Sequence, residues 1–376
     1  MRYKTLGDTT ESIPVIGQGT MGIGGYLESG VNGDQKCIDA IRFGIDLGMM
    51  FIDTAENYGK GHSEEVIGHA IKSIREKVFI ATKVAPEHLV YDEVIRACER
   101  SLRRLSTDYI DLYQIHWPNP AISIEETMEA MKYLKEQGKI RFIGVSNFSL
   151  QQIRESIEIF GKEGHISVQS EYNLFDRSIE HDILPFCEKN DLLTIAYSPL
   201  DQGYIAQDNS RIEILESIAQ KYDRTRAQIV LNWLVSHPNM IAIPKAVNAE
   251  HIRQNAAAAD FDIDHADIHI IDRTFQCKPI YVPTERIKVV VDGQGNRKVY
   301  QTIEDALKNP LGFTPSPSVL AEDIRKKNDV IKPVRVRKSS DQTGRYDYDL
   351  VEGRIRYWAW HIAHDGKRSI PVLVRP

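Results

Sequence analysis

Asp53, Tyr58, Lys83 and His116 combine side-chain types that can work together in acid–base chemistry. A carbonyl group that accepts a hydride develops alkoxide character and needs a proton donor aimed at its oxygen. Tyrosine, with an ordinary pKa of about 10, donates poorly near neutrality, and a nearby ammonium lowers that pKa. A buried lysine needs a carboxylate beside it to stay charged, and a histidine can orient both the carbonyl and the phenol. These four residues predict proton transfer at a carbonyl oxygen.

Eight short apolar runs recur between residues 13 and 245, three of which contain Asp53, Lys83 and His116, and segments with helical spacing separate the runs. The runs cover residues 13–19, 50–54, 78–83, 110–116, 140–146, 166–169, 193–198 and 241–245. Capping boxes at Ser123, Ser149 and Thr225 mark helix starts. Strands that are apolar throughout and alternate with helices indicate a parallel α/β sheet, and eight such units predict a (β/α)8 TIM barrel. A doubly wound sheet is the competing interpretation.

Polar residues stand at the ends of the later runs as well, where a β/α barrel carries its chemistry. They are Ser146, Asn147, Gln169, Tyr197, Ser198 and Lys245. A single polar residue at such a place is more often structural than catalytic. Polar groups at equivalent ends of successive strands predict a pocket at one mouth of the barrel.

The composition describes an average globular chain of 376 residues with 27% charged residues. No apolar run reaches the length of a membrane span, and the N-terminus lacks the apolar core of a signal peptide, so we expect a cytoplasmic protein. The four cysteines are Cys37, Cys98, Cys187 and Cys277, far apart in sequence. We expect them to be reduced and mostly buried, and we expect no metal site.

The last part of the chain differs from the rest in charge and in pattern. Residues 1–278 carry 29 Lys and Arg against 41 Asp and Glu, whereas residues 279–376 carry 18 against 12. We expect strands at 280–291, 332–337 and 370–374, and helices at 302–308, 319–327 and 353–364. The sequence therefore predicts a barrel over residues 1–278 and a small basic α+β domain over 279–376.

Two glycine-rich segments do not match nucleotide-binding motifs. The glycines of residues 19–25 lack the dinucleotide-binding spacing, and residues 59–62 lack the first glycine and the Ser or Thr of a P-loop. Both segments are interpreted as tight loops. For Tyr26 and Trp117, lining of a substrate pocket stays open beside an exposed position or core packing.

Several segments together resemble the aldo-keto reductase family. They are FIDTAENYGKGHSEEVIG (51–68), IATKV (80–84), IDLYQIHWP (110–118), IGVSNF (143–148), YSPL (197–200) and IPKA (243–246). The resemblance covers about residues 1–275 and implies NADPH-dependent reduction of an aldehyde, ketone or sugar carbonyl, or the reverse oxidation. By position, Asp53, Tyr58, Lys83 and His116 match the catalytic tetrad, with Tyr58 as the general acid or base.

The same resemblance implies where the cofactor is held. Ser146, Asn147 and Gln169 match the groups around the nicotinamide carboxamide, and Tyr197 matches the ring stacked on the nicotinamide. The remaining matches are Gly19, Thr20, Met21 and Asp53 near the first strands, Ser198 and Leu200 at the pyrophosphate, and Lys245, His251, Gln254 and Asn255 at the adenosine end. Ala246 and His251 replace the usual Ser and Arg at the 2′-phosphate, so NADPH stays favoured by Lys245 but the margin over NAD is weakened.

Residues 320–337 and 348–374 resemble the ParB N-terminal and sulfiredoxin-like fold over about 280–376. This resemblance implies a site for ATP or CTP at the helix start formed by Gly353, Arg354 and Arg356, with small-molecule kinase activity in some relatives. Ile355 departs from the family pattern. The alternative is that the arginines only bridge to the acidic barrel, and sequence-specific nucleic-acid binding is not expected.

The sequence thus predicts a carbonyl reductase acting on a small-molecule substrate, fused to a second domain. The competing hypothesis is a regulatory protein that senses NADP(H) with its barrel and reports through a ParB-like output domain. The four tetrad residues favour the enzyme.

Overall fold

The computed structural model describes residues 1–26, 28–31, 33–161, 165–206, 210–276, 279–290, 299–326 and 331–375. The chain divides into two compact units, residues 1–118 with 122–275, and residues 276–376 with 119–121.

The first unit opens with an antiparallel hairpin and continues with an eight-stranded parallel sheet. The hairpin strands are β1 (Tyr3–Thr5) and β2 (Ser12–Pro14). The sheet strands are β3 (Gln18–Gly19), β4 (Phe51–Asp53), β5 (Phe79–Val84), β6 (Ile110–Ile115), β7 (Ile140–Ser146), β8 (His165–Glu171), β9 (Leu193–Tyr197) and β10 (Met240–Ala242). Strands β4, β5 and β6 are buried at every position, as strands covered on both faces must be.

Helices follow the strands and cover the sheet. They are α1 (Asp34–Asp46), α2 (His62–Ile71), α3 (Tyr91–Leu105), α4 (Ile124–Glu136), α5 (Leu150–Phe160), α6 (Ile183–Lys189), α7 (Ser210–Tyr222), α8 (Arg226–Ser236), α9 (Ala249–Ala257) and α10 (His265–Thr274). Their apolar faces pack on the sheet in one large core that includes Ile67, Cys98, Met128 and Trp233. None of the described helices combines the length and apolar composition that a membrane span needs.

The sheet closes on itself between its first and last segments. Ile16 forms a parallel bridge with Ala242, and the Gly17 amide donates to the Ala242 carbonyl at 2.9 Å. The strands from β3 to β10 pair in parallel with their neighbours in chain order, so this closure completes a (β/α)8 barrel. The predicted TIM-barrel fold is confirmed.

The first predicted strand, residues 13–19, is in fact divided between two structures. Its beginning belongs to β2, which pairs antiparallel with β1, and only Gln18 and Gly19 belong to the barrel sheet. Ile13, Val15, Ile16 and Gln18 are all buried, so burial does not separate the two parts.

Two of the three predicted capping boxes are present. At α5 and α8 the side chains of Ser149 and Thr225 accept from the backbone three residues on, and the glutamines there reach back. At α4, Ser123 caps the helix, but Glu126 accepts from the Tyr91 amide at the start of α3 instead. A tertiary contact replaces the local one.

The cysteines that the structure describes are free thiols. Cys98 and Cys187 are buried, which raises the pKa of each thiol to about 12, and Cys37 is partly buried. Cys277 lies outside the described residues. Buried thiols with raised pKa values are poor nucleophiles, so they serve as packing residues.

The second unit is a mixed five-stranded sheet with helices. Its strands are β11 (Ile280–Val282), β12 (Ile287–Val289), β13 (Val334–Lys338), β14 (Tyr348–Glu352) and β15 (Ile370–Arg375), in the order β11–β15–β13–β14–β12. Its helices are α11 (Ile303–Lys308), α12 (Pro317–Lys326) and α13 (Arg354–Ala363). Val334, Val336 and Val372 form its core with Trp358 and Trp360.

The expected elements of this unit are present with small shifts. The predicted extended segment 280–291 is broken by a short 3-10 turn at Thr284–Arg286, and β14 was not predicted. Val291 and Lys327, the ends of two predicted elements, lie outside the described residues. β14 is short and rich in charge, so its sequence resembles a loop, and its pairing with β12 and β13 defines it as a strand.

Candidate active site

An ion pair between Lys83 and Asp53 lies at the centre of the barrel mouth. The Lys83 Nζ donates to Asp53 Oδ2 at 2.6 Å and to the Thr54 carbonyl at 2.8 Å. Lys83 is fully buried and Asp53 is 2% exposed. Burial by itself would lower the pKa of Lys83, but Asp53 and Tyr58 hold that pKa above its ordinary value. The lysine therefore remains an ammonium inside the barrel.

Strand register brings these two residues together. Asp53 ends β4 and pairs with Ala81 of β5, so Lys83 lies two residues further along β5, on the same face. Lys83 in turn pairs with Gln114 of β6. Adjacent parallel strands thus place their last inward-facing residues at one edge.

Tyr58 lies above this pair. The Lys83 Nζ is 5.2 Å from the centre of the Tyr58 ring, and the His116 ring meets that ring edge-on at 5.6 Å between centroids. Burial raises the pKa of Tyr58, and the Lys83 charge opposes that rise only in part. The sequence predicts that lysine lowers the pKa of Tyr58. In the structure burial has the larger effect, so this pKa is raised and the phenol is protonated at neutral pH.

His116 follows β6 directly and is 8% exposed. Burial, together with the Lys83 charge, holds the pKa of His116 well below its ordinary value. Its Nδ1 atom is buried and has no hydrogen-bond partner among the described residues. A neutral imidazole with an orphaned ring nitrogen fits a site that receives a polar ligand.

Two glutamines complete the surroundings of Asp53. The Gln169 Nε2 donates to Asp53 Oδ1 at 2.7 Å, and the Gln114 Nε2 lies 3.5 Å from the same oxygen. The contact of Gln169 with the nicotinamide carboxamide, which the resemblance implies, stays a prediction beside this bond to Asp53. The sequence does not predict a role for Gln114. The only signal in the sequence is that Gln114 precedes His116 by two residues, so both side chains lie on the same face of the strand.

Asn147 links three of the predicted residues. Its Nδ2 donates to the His116 carbonyl at 2.9 Å and to Ser146 Oγ at 3.0 Å, and its Oδ1 accepts from the Tyr197 hydroxyl at 2.8 Å. Asn147 has φ of 62°, a left-handed conformation that asparagine tolerates better than most residues. The carboxyl ends of β6, β7 and β9 are therefore tied together through one amide.

Thr20 connects the first strand of the barrel to the tetrad. Its hydroxyl donates to the Asp53 carbonyl at 2.9 Å and accepts from Ser63 Oγ at 3.1 Å. Gly19 precedes it, and a Cβ there would lie 2.6 Å from the Ile243 carbonyl, so only glycine allows β3 to pass so close to the last barrel segment.

The other predicted cofactor residues differ in burial and backbone conformation. Ser198 has φ of 48°, and its carbonyl accepts from the Asp201 amide. Met21, Lys245 and His251 are exposed, and Leu200 and Gln254 are partly buried. Asn255 is buried and lines a small cavity together with Gly19 and Thr20. Tyr26 and Trp117 are both substantially exposed, which excludes core packing and leaves pocket lining and an ordinary surface position both open.

In the second unit, the structure gives the predicted arginines local partners. Gly353 has φ of 88° and precedes α13. Arg354 donates to the Val290 carbonyl at 3.3 Å, and Arg356 donates to the carbonyls of Lys332 and Pro333.

Comparisons with known proteins agree with this geometry. The model of the Aldo/keto reductase family matches residues 15–275. The chain belongs to the aldo/keto reductase family. It is thus an oxidoreductase of this class, and the predictions of family and of enzyme type are confirmed.

Three relatives show the extent of the similarity. Methylglyoxal reductase YeaE of Escherichia coli K12 is 39% identical, over 70% of this chain and 92% of its own. The thermostable aldo-keto reductase Tm1743, crystallised with the inhibitor epalrestat, is 44% identical in sequence to this chain. Its structure matches with a TM-score of 0.71, over 73% of this chain and 100% of that chain. An aldo/keto reductase of Klebsiella pneumoniae, in complex with NADP and acetate, is 39% identical in sequence. Its structure matches with a TM-score of 0.64, over 70% of this chain and 92% of that chain.

Removal of Lys83 tests the buried ion pair. We expect Lys83→Met to lower the free energy of unfolding by about 3–5 kcal/mol, because it leaves the Asp53 carboxylate buried without a cation. The double variant Asp53→Asn/Lys83→Met leaves no buried charge and should lose less. Urea denaturation followed by circular dichroism measures both, and equal losses would show that the stranded charge is not the cause.

Proposed function

We propose that this protein is an NADPH-dependent reductase of small-molecule aldehydes or ketones, with Tyr58 as the proton donor. The observation that carries the proposal is the buried cluster in which Lys83, held charged by Asp53, lies beside a protonated Tyr58 and a neutral His116. NADPH, when bound, supplies the hydride that carbonyl reduction requires.

The three groups divide the work on the substrate oxygen. Tyr58 is protonated because burial raises its pKa, so it can donate its phenolic proton to the developing alkoxide. The phenolate that remains is stabilised by the Lys83 ammonium, whose charge favours it in a site of low dielectric. In the oxidative direction the same pair lets Tyr58 accept a proton.

His116 orients the carbonyl rather than protonating it. Its low pKa keeps the ring neutral throughout the pH range in which proteins usually work. A neutral imidazole carries one N–H, which can donate to the carbonyl oxygen and fix it near the Tyr58 hydroxyl. The edge-on packing of the two rings restricts the motion of both.

The residues at the mouth fit the parts of the cofactor. Ser146 and Asn147 offer a hydroxyl and an amide for the carboxamide, and the partly buried Tyr197 ring offers a face for the nicotinamide. Lys245 is exposed at the end of the last barrel segment and can pair with the 2′-phosphate. The Klebsiella relative was crystallised in complex with NADP, which supports NADP(H) as the cofactor.

The substrate is proposed to be a small carbonyl compound of the methylglyoxal type. The support is the name of the Escherichia coli relative, a methylglyoxal reductase, together with the 39% identity. The exposed rings of Tyr26 and Trp117 give the mouth apolar surface for the substituent next to the carbonyl.

Replacement of Tyr58 by phenylalanine tests the proton donor. Tyr58→Phe retains the ring and removes the hydroxyl, so kcat for methylglyoxal should fall by about a thousandfold. NADPH affinity, measured by fluorescence titration, should not change. Tyr133→Phe removes the hydroxyl of an exposed tyrosine on α4 and should leave kcat unaltered. Retained turnover in Tyr58→Phe would refute the assignment of Tyr58.

Replacement of His251 tests the preference for NADPH. His251 is exposed in the first turn of α9, where the family usually has arginine. An arginine can bind the 2′-phosphate with two parallel hydrogen bonds, so His251→Arg should raise the kcat/KM ratio of NADPH over NADH by about tenfold. Arg253→Gln on the same helix, where the guanidinium lies over Phe43, should leave the ratio unchanged. An unchanged ratio in His251→Arg would mean that position 251 does not face the 2′-phosphate.

The competing function is an NADP(H) sensor without catalysis. Steady-state NADPH oxidation with a panel of aldehydes and ketones separates the two functions. Turnover supports the reductase, whereas tight NADPH binding with no turnover of any compound supports the sensor.

For the second unit we propose a ParB-like domain that binds a nucleoside triphosphate, ATP or CTP, at the N-terminus of α13. The observation in its favour is the density of cations at Glu352. Burial would raise the pKa of this carboxyl, but the charges of Arg335, Arg356 and Arg375, with Lys332, lower it. Arg335 and Arg375 are both largely buried. Positive charge concentrated beside a helix N-terminus favours a polyphosphate.

Titration of the full-length chain with ATP or CTP tests this second proposal. A rise in the melting temperature that Arg356→Gln abolishes, with NADPH binding retained, supports a nucleotide site. Phosphorylation of the alcohol product in the presence of ATP would assign kinase activity to it. The absence of a shift with either nucleotide, in protein that still binds NADPH, would refute the site.

A further inference from the structure

The backbone directly after Tyr58 forms an unusual left-handed turn. Gly59, Lys60 and Gly61 have φ values of 56°, 57° and 96°. Lys60 is not glycine, so its left-handed conformation costs energy that neighbouring contacts must offset. The orientation of the Tyr58 ring depends on this turn, because the turn fixes the direction in which the chain leaves the residue.

The loop between β3 and α1 covers residues 20–33. Its described backbone packs against the backbone of this turn. The Gly59 amide donates to the Tyr26 carbonyl at 2.9 Å. A Cβ on Gly59 would lie 2.3 Å from the Gly24 carbonyl, and a Cβ on Gly24 would lie 2.9 Å from the Ser63 amide. The described residues of the loop therefore act as the outer wall of the turn.

The side chain of His62, the first residue of α2, links the turn's end of α2 to the start of α1, where the loop ends. Its Nε2 is 2.9 Å from Asp34 Oδ2, at the start of α1, and its Nδ1 is 2.7 Å from Glu65 Oε2. Beside it, Lys60 pairs with Glu28 of the loop, but both of these side chains are mostly exposed. The His62 bridge is the more buried of the two links, with 13% of its side chain exposed.

The remaining charges near this bridge already have partners. Arg104 of α3 packs against Gly61, where its guanidinium pairs with the buried Glu64 of α2. Asp34 from α1 and Glu65 from α2 are therefore the carboxylates that act on His62.

Both ring nitrogens of His62 face carboxylates, so both must carry hydrogen for the bridge to be complete. The hydrogen bond to Glu65 and the bond and charge of Asp34 raise the pKa of His62, and burial opposes this only in part. A cation at the N-terminus of α2 is unfavourable for the helix dipole, which makes the two carboxylates necessary. The neutral ring can donate to only one of them.

We propose that His62 is a positioning residue for Tyr58: its bridge between Asp34 and Glu65 holds the loop against the left-handed turn and so fixes the phenol for proton transfer. This inference rests on the proposed function, in which Tyr58 is the proton donor.

The direction of the pH dependence follows from the raised pKa. The bridge is complete below the unfolded value of about 6.5 and is lost as the pH rises through the higher folded value. The turn should therefore be best ordered on the acid side, and kcat should carry an ionisation with a pKa above 6.5.

The test compares the wild-type chain with His62→Gln, which can bond to only one carboxylate at a time in the geometry of the bridge. We expect kcat below pH 7 to fall about fivefold while KM for NADPH stays constant, the loss of precise orientation lowering the rate without weakening binding. The ionisation above pH 6.5 should disappear from the pH profile of kcat. Asp34→Asn should show the same loss, and His69→Gln, an exposed histidine on the same helix, should show neither effect.

A second measurement does not depend on activity. Amide hydrogen exchange at residues 59–61 should be faster in His62→Gln than in the wild-type chain. As the pH rises and the bridge loses its proton, exchange in the wild-type chain should accelerate more steeply than the ordinary pH dependence, which His62→Gln provides. Unchanged kcat, pH profile and exchange in His62→Gln would overturn the inference while the reductase function stands. Altered exchange in a chain whose wild type reduces no carbonyl would support the bridge and refute the reductase.

Discussion

The buried ion pair of Lys83 and Asp53 is the interaction on which the site depends. Taking two charges out of water costs several kcal/mol for each, which their attraction offsets only when the remaining donors and acceptors are also bonded. Here Lys83 also donates to the Thr54 carbonyl, and Asp53 accepts from Gln169. Lys83 lies on β5, Asp53 on β4 and Gln169 on β8, so the strands must pair in one register for the pair to be satisfied.

In the proposed function, the pair lets Tyr58 stay protonated before the reaction and still donate its proton readily. Burial keeps the phenol protonated, which a donor requires before the reaction, and the ammonium stabilises the phenolate that follows. In a site of low dielectric, the same removal of water strengthens both effects. Burial also lowers the pKa of His116, and the Lys83 charge lowers it further, so this ring remains neutral.

The sequence was sufficient for much of this arrangement, and its failures have a common cause. Apolar runs predicted the barrel strands because those strands are buried throughout, and Ser149 and Thr225 predicted helix starts because a capping box is local. The division of residues 13–19, the contact of Glu126 with Tyr91 and the bond of Gln169 to Asp53 were not predictable. Each depends on which distant segment lies alongside, and sequence spacing does not contain that information.

The tetrad itself shows the same boundary between local and distant causes. Asp53 and Lys83 lie on strands and His116 follows one directly, so the ladder that closes the barrel also fixes their separation. Tyr58 lies on no strand, and periodicity could not place it; only the motif around it did. Its position depends on a strained turn and on a loop from another part of the chain. The residue proposed as the proton donor is thus the one whose geometry the barrel alone does not determine, so the contacts that hold its turn matter to the proposed function as much as the ion pair beneath it.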